Sequence, residues 1–185
     1  MTVAMKTPLL ILDLDETLLW ATETAPASGF DFRAFQYFVI RRPHLDVFLH
    51  EAFSWFEVAV WTSSGEDYAR RVVNEIFDDP STLEFVWTAS RCTQRIDDET
   101  RKAYALKDLK KVRRRGYALE RVLMIDDSPE KLRRQYGNHL RLEPFEGDPN
   151  HSELLDVLPF LEWLKDQENF RRVEKQSWRD WRRPR

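Results

Sequence analysis

Cysteine, glycine and long apolar runs are scarce in this 185-residue chain. Cys92 is its single cysteine, so an intrachain disulfide and a cysteine-based zinc cluster are excluded, and a reducing compartment fits. That lone thiol reads as a small buried hydrophobe rather than a nucleophile. Five glycines are too few for collagen-like or glycine-rich low-complexity sequence. The apolar run nearest the start covers only residues 9–12 before Asp13 interrupts it, too short for a signal-peptide core or a membrane span. The chain therefore reads as soluble and intracellular: cytoplasmic, or nuclear in a eukaryote. An excess of one charge is missing as well. Lys plus Arg is 29 against 32 Asp plus Glu, a net charge of −3, which gives no global reason to expect nucleic acid or an anionic membrane as partner.

Aromatic residues, by contrast, are abundant, with 12 Phe, 7 Trp and 5 Tyr, and they indicate a globular chain with a real core. Residues 8–14 (PLLILDL) read as a buried strand of a parallel sheet. Residues 21–29 are small and polar and read as a loop, and the aromatic-rich stretch 30–41 as a β-ribbon. Pro43 suits the first turn of a helix carrying Leu45, Phe48, Leu49, Ala52 and Phe53 on one face. Strands are expected at 57–62, 83–88, 121–126 and 139–142. Helices are expected around 69–77, over 106–115, from Ser128-Pro129 onward, and over 152–165 with a break or restart at Pro159. Alternating strands and helices imply an α/β fold with a central parallel sheet. Ligands of such sheets bind beyond the carboxyl ends of the strands.

The chemically able residues fall at those ends. The first strand runs into Asp13-Leu14-Asp15-Glu16-Thr17, whose two aspartates share one side of an extended chain. Two such carboxylates suit a hard cation, or attack on phosphorus by one with proton handling by the other. The second strand ends in Thr62-Ser63-Ser64-Gly65 before a helix, where hydroxyls and free N–H groups form an anion site. The fourth ends in Asp126-Asp127-Ser128, adjacent carboxylates that repel unless a cation or proton intervenes. Lys107, placed at a helix start, has 18 residues between it and Asp126 and would neutralise phosphate charge or keep a carboxylate ionised. Taken singly, these are helix caps and a surface lysine; in this order, each behind a fitting element, they indicate a shared phosphoryl-transfer site.

The segments LLILDLDETLL, VAVWTSS, Lys107 and VLMIDDSP resemble the four signatures of haloacid-dehalogenase-type phosphatases. RPHLDVFL (42–49), Tyr68, LKDL (106–109) and LDVLPFL (155–161) resemble the NLI-interacting-factor-like branch, the small RNA polymerase C-terminal-domain phosphatases. The resemblance covers residues 8–165. It implies a Rossmann-like haloacid-dehalogenase fold and an aspartyl-phosphate mechanism. Asp13 would be the nucleophile, and Asp15 the acid for the leaving oxygen and then the base for water. Thr62 and Lys107 would bind the phosphoryl oxygens, with Ser63, Tyr68 and Arg91 on the substrate side. Mg²⁺ would be held by the Asp13 carboxylate, the Asp15 main-chain carbonyl and Asp126, and Thr17 would order the loop. Two departures stand out. Asp127 replaces an Asn frequent in this branch and would help hold the metal through water. Gly65 stands where relatives carry a bulkier apolar residue.

Forty-four residues separate Thr17 from Thr62, and another 44 separate Thr62 from Lys107. Core elements use most of both intervals, so no large cap domain fits and only the ribbon within 21–41 remains as a flap. An open site favours phosphate on a large or extended substrate, hence phosphoprotein bearing phospho-Ser/Thr or phospho-Tyr. The alternatives are a phosphatase for small metabolites or nucleic-acid ends, and a binding module without catalysis. Degenerate members of the last kind lose an acidic residue, whereas Asp13, Asp15 and Asp126 are all present. The chain reads as one domain, 1–170, followed by a basic tail, 171–185. That tail has seven cations against two carboxylates, +5, and leaves −8 on the body. With Trp178 and Trp181 interleaved, it reads first as a segment docked by its Trp face and second as a nucleic-acid contact.

Overall fold

The structure is a computed structural model that describes residues 7–97 and 99–182. Residues 1–6, part of the stretch read for a signal segment, and the tail's Arg183 and Arg185 lie outside the described residues. In chain order, β1 (Leu9–Leu12) leads into β2 (Leu19–Thr22), β3 (Phe32–Ala34) and β4 (Tyr37–Arg41). Then come α1 (Leu45–Trp55), β5 (Glu57–Trp61), α2 (Glu66–Ile76) and β6 (Val86–Trp87). A hairpin of β7 (Thr93–Ile96) and β8 (Ala103–Leu106) precedes α3 (Lys110–Arg113) and β9 (Val122–Asp126). A kinked 3-10 stretch, Pro129–Asn138, connects to β10 (His139–Arg141), α4 (Glu153–Asp156) and α5 (Leu158–Leu164).

Every residue of β1 is fully buried, because the strand sits in the middle of a five-stranded sheet ordered β10-β9-β1-β5-β6. Its pairs with β5 and β9 are parallel, with Leu12 opposite Val60 on one side and Ile125 on the other. The side chains alternate between two cores. Leu10, Leu12, Val58, Val60, Leu123 and Ile125 face the cluster containing Phe48 of α1, Val72 of α2 and Phe160 of α5. Leu9, Ile11, Ala59, Trp61, Val122 and Met124 face Phe85, Trp87, Leu109 and Leu132. A strand covered on both faces is what an unbroken aliphatic run predicts. Each fully buried Leu or Ile contributes roughly 1.5–3 kcal/mol, so the central strands hold their carboxyl ends firmly in register.

The insertions depart from expectation. The ribbon is a three-stranded antiparallel sheet, β2-β4-β3, and its first strand takes in Leu19 to Thr22, part of which reads as loop. Phe30 lies between β2 and β3, edge-on to Phe38, with ring centroids 4.9 Å apart. Pro43 lies upstream of α1, which starts after His44 in a left-handed conformation, φ 66°. Of the stretch expected as a strand over 83–88, only Val86 and Trp87 form β6, although Glu84 and Phe85 also exchange backbone hydrogen bonds with β5. The helix expected over 106–115 shrinks to α3, because Leu106 ends a strand. Lys107 thus follows β8 rather than opening a helix. The hairpin β7–β8 is a second small insertion beside the expected flap. Neither insertion is a large cap.

The basic segment packs on the body. Trp178 is 3% exposed and donates its indole N–H to the Arg141 carbonyl at 3.0 Å. Trp181 lies edge-on to Phe160 and tilted against Trp163, with centroids 5.5 and 5.4 Å away. Arg179 pairs with the Glu153 carboxylate.

Candidate active site

Asp13 leaves the end of β1 with its N–H bonded to the Ile125 carbonyl, 3.0 Å, so the ladder to β9 continues to the first residue of the site. The residue is 1% exposed. The Lys107 ammonium lies 2.9 Å from Asp13 Oδ2 and 2.6 Å from Asp126 Oδ2, and is itself fully buried. Burial pushes the Asp13 carboxyl up, but the ammonium groups of Lys107 and Lys131 outweigh it and hold it at about 2. Asp126, at the end of β9, is pushed upward by burial and by the Asp13 charge. Its Oδ1 accepts the Ser128 N–H at 2.9 Å. The three carboxylates of Asp13, Asp126 and Asp127 converge, each offering an oxygen within 4.8 Å of the others.

Asp15 turns the other way. Ser64 donates its hydroxyl to Asp15 Oδ2 and Tyr68 to Oδ1, both at 2.6 Å. Burial raises the Asp15 carboxyl above its ordinary value although both hydrogen bonds oppose that rise. The turn is possible because Glu16 takes a left-handed conformation, φ 61°, and its N–H bonds back to the Leu19 carbonyl. Thr17 is fully buried; its hydroxyl accepts the Asp127 N–H at 3.2 Å, and its carbonyl accepts the buried Arg42 guanidinium at 2.8 Å. It ties the β1 loop to the β9 loop.

Thr62 follows β5, 1% exposed, and its hydroxyl oxygen accepts the Ser64 N–H at 3.0 Å. Ser63 is half-buried and joins Asp15, Trp20, Tyr37, Ser64, Tyr68 and Lys131 around a recess of about 440 Å³. Tyr68 meets Tyr37 of β4 edge-on at 5.6 Å, so the ribbon forms one wall of that recess. Gly65 lies there too, and a Cβ added to it would meet nothing within 4 Å. Arg91 is not gathered with these residues. It lies over the Trp87 ring at 5.3 Å, bordering a separate recess with Thr88 and Ser90.

Lys131 is the residue that sequence reasoning missed. It stands inside the kinked 3-10 stretch after β9, five residues beyond Asp126, and reaches back to the strand ends. Its ammonium is 2.8 Å from Asp13 Oδ2, 3.4 Å from Asp126 Oδ1 and 3.7 Å from Asp127 Oδ1. The available signal was Ser128-Pro129, a cap that folds the next turn back over the strand end. His139 of β10 was missed as well; its Nε2 lies 2.8 Å from the Asp126 carbonyl.

Comparison with known proteins follows the same lines. The profile described as NLI interacting factor-like phosphatase matches residues 8–171. CTD small phosphatase-like protein 2 of Dictyostelium discoideum is 34% identical over 169 residues, covering 88% of this chain and 28% of that protein. CTD nuclear envelope phosphatase 1 of Xenopus laevis is 28% identical over 184 residues, covering 91% and 72%. Among solved structures, the fission yeast RNA polymerase II CTD phosphatase Fcp1 bound to beryllium fluoride aligns with a TM-score of 0.58 at 17% identity. That alignment covers 92% of this chain and 59% of the other, and it shows a shared fold.

Proposed function

The chain belongs to the NLI interacting factor-like phosphatase family, and we propose that it hydrolyses phosphomonoesters on phosphoprotein through an aspartyl-phosphate at Asp13. The observation that carries this reading is the pair of opposed aspartates: Asp13 held ionised between two ammonium groups, Asp15 raised by burial two residues away. Environments that drive two carboxyls apart assign the nucleophile and the acid. The family implies a divalent metal, and the donor set fits one. Asp13, Asp126 and Asp127 supply only oxygen, and the buried Asp127 Oδ1 has no hydrogen-bond donor. Hard oxygen donors on a rigid strand-end frame favour Mg²⁺. Asp13 and Asp126 would hold it, with Asp127 beside them and the Asp15 main-chain carbonyl completing the protein's share. When bound, such a cation draws negative charge off the phosphoryl oxygens.

The chain's own residues then divide the work. Asp13 Oδ attacks phosphorus as the bond to the leaving oxygen breaks, and Asp15 gives that oxygen its proton. Asp15, now ionised, takes a proton from water, whose oxygen attacks phosphorus and frees the Asp13 carboxylate and phosphate. Thr62 and Lys107 bind the transferring oxygens, and fixed donors there need no reorganisation as charge develops. Ser64 and Tyr68 aim the Asp15 carboxyl. Ser63 and Tyr68 meet the substrate in the recess beneath the ribbon; Arg91, in its neighbouring recess, would touch only a more distant part of an extended chain.

An uncapped site supports a phosphate borne on an extended polypeptide, and the names of the relatives support the same class. The chain spans 28% of the Dictyostelium relative and 59% of the yeast structure, so substrate and partners are read from the site. Trp178 is buried, which removes it from base stacking and weighs against nucleic-acid ends. Among the described residues no helix is long and apolar enough to cross a membrane. We place its action in the cytoplasm or, as the relatives' names suggest, at the nuclear envelope. The test is a panel of phospho-Ser, phospho-Thr and phospho-Tyr peptides, nucleotides and sugar phosphates assayed with Mg²⁺. Peptides should exceed the small phosphates in kcat/KM by at least about tenfold, more than 1.4 kcal/mol of differential binding. Equal or better turnover of a small metabolite would reverse the assignment.

A further inference from the structure

Lys131 has no counterpart among the roles assigned above, yet its ammonium occupies the space framed by the three converging carboxylates. Lys107 also contacts Asp13 and Asp126, but it comes from the buried side, at 0% exposure, and does not reach Asp127 among the ion pairs formed. Lys131 comes from the mouth: its side chain keeps 16% exposure and also lines the substrate recess. Three buried carboxylates without a compensating cation would repel strongly. Asp127 Oδ1 lacks any hydrogen bond and has the Lys131 ammonium, 3.7 Å away, as its ion-pair partner.

We propose that Lys131 is a tethered cation that holds the carboxylate cage together in the metal-free protein and is displaced toward the substrate recess when the divalent metal binds. This rests on the metal-dependent reading of the site. An ammonium among the three carboxylates excludes a cation that needs those same oxygens at coordination distance. Metal binding must therefore expel it, and the long flexible stem allows that without moving the backbone. The apparent metal affinity is lowered by the fraction of molecules with Lys131 in the cage. The expelled ammonium stays within the recess where the phosphate enters.

Two measurements test this. Mg²⁺ is titrated calorimetrically into wild type and Lys131→Met. The methionine variant should bind Mg²⁺ at least about tenfold more tightly and lose thermal stability only when metal is absent. Equal or weaker Mg²⁺ binding by the variant overturns the proposal. The second uses wild type alone, so it does not depend on the variant folding. Amine-reactive labelling of Lys131, read by mass spectrometry, should rise several-fold when Mg²⁺ is added, while the exposed Lys110 stays unchanged. Labelling that is unchanged or reduced overturns it. Should wild type bind no divalent metal at all, the metal-dependent reading fails and this inference with it. Binding by wild type with an unaffected Lys131 sinks the inference alone.

Discussion

Two hydroxyl groups meet the Asp15 carboxyl, and both favour its ionised form. Removing the Tyr68 donor should therefore raise the Asp15 value further. If Asp15 protonates the leaving oxygen, the falling alkaline limb of the kcat/KM profile marks its ionisation. Tyr68→Phe should move that limb to higher pH and leave the acid limb in place; a shift to lower pH, or none, would detach Asp15 from the proton step. Residues of this kind are legible where an apolar run stops abruptly. Asp13, Thr62 and Asp126 stand at such stops, and the sheet gathers them because neighbouring parallel strands end at one edge. Lys131 is not legible in that way. It lies in Lys131-Leu132-Arg133-Arg134, a basic stretch with no apolar run ending at it, yet its ammonium reaches Asp13, Asp126 and Asp127. Arg91 shows the opposite case, a residue carried over from a resemblance whose side chain lies on Trp87 instead.

The central strands are readable because both faces are apolar, and the β7–β8 hairpin is not because neither face is. Thr93–Ile96 is exposed at most positions and Ala103–Leu106 buries fully only Leu106, so the hairpin leaves no alternating signal. The spacing of Leu106, Leu109 and Val112 instead imitates a helix face, which explains the overlong helix expected there. The three-stranded sheet depends on a contact that no local pattern reveals. Gly147 adopts φ +91° against Trp20 of β2, and an added Cβ would stand 2.7 Å from the ring. Gly147→Ala should cost about 1–3 kcal/mol through backbone strain and overpacking. Because Trp20 lines the recess, KM for a peptide substrate should rise as well. Urea denaturation and steady-state kinetics of the same variant check both effects, and an unchanged midpoint would show that the ring yields freely.

Taken whole, the chain carries its net charge unevenly, with a basic end docked on an acidic body. Trp178, Trp181 and the Arg179–Glu153 pair tie that end to β10, α5 and α4, and Glu153 in turn pairs with the buried Arg42 at 2.6 Å. Arg42 holds the Thr17 carbonyl, so the docked end reaches the active-site loop through two ion pairs. Trp178→Ala should destabilise the protein by about 3–5 kcal/mol, as large aromatic truncations in a core do. Denaturant unfolding measures it, and a change under about 0.5 kcal/mol, the range of ordinary surface substitutions, would mean the end is not part of the core. The most direct measurement for the molecule as a phosphatase is hydrolysis of an aryl phosphate with Mg²⁺ by wild type and Asp13→Asn, after circular dichroism confirms that both fold. Loss of the nucleophile should lower kcat by at least about 1,000-fold. Turnover within about tenfold of wild type would contradict attack by Asp13.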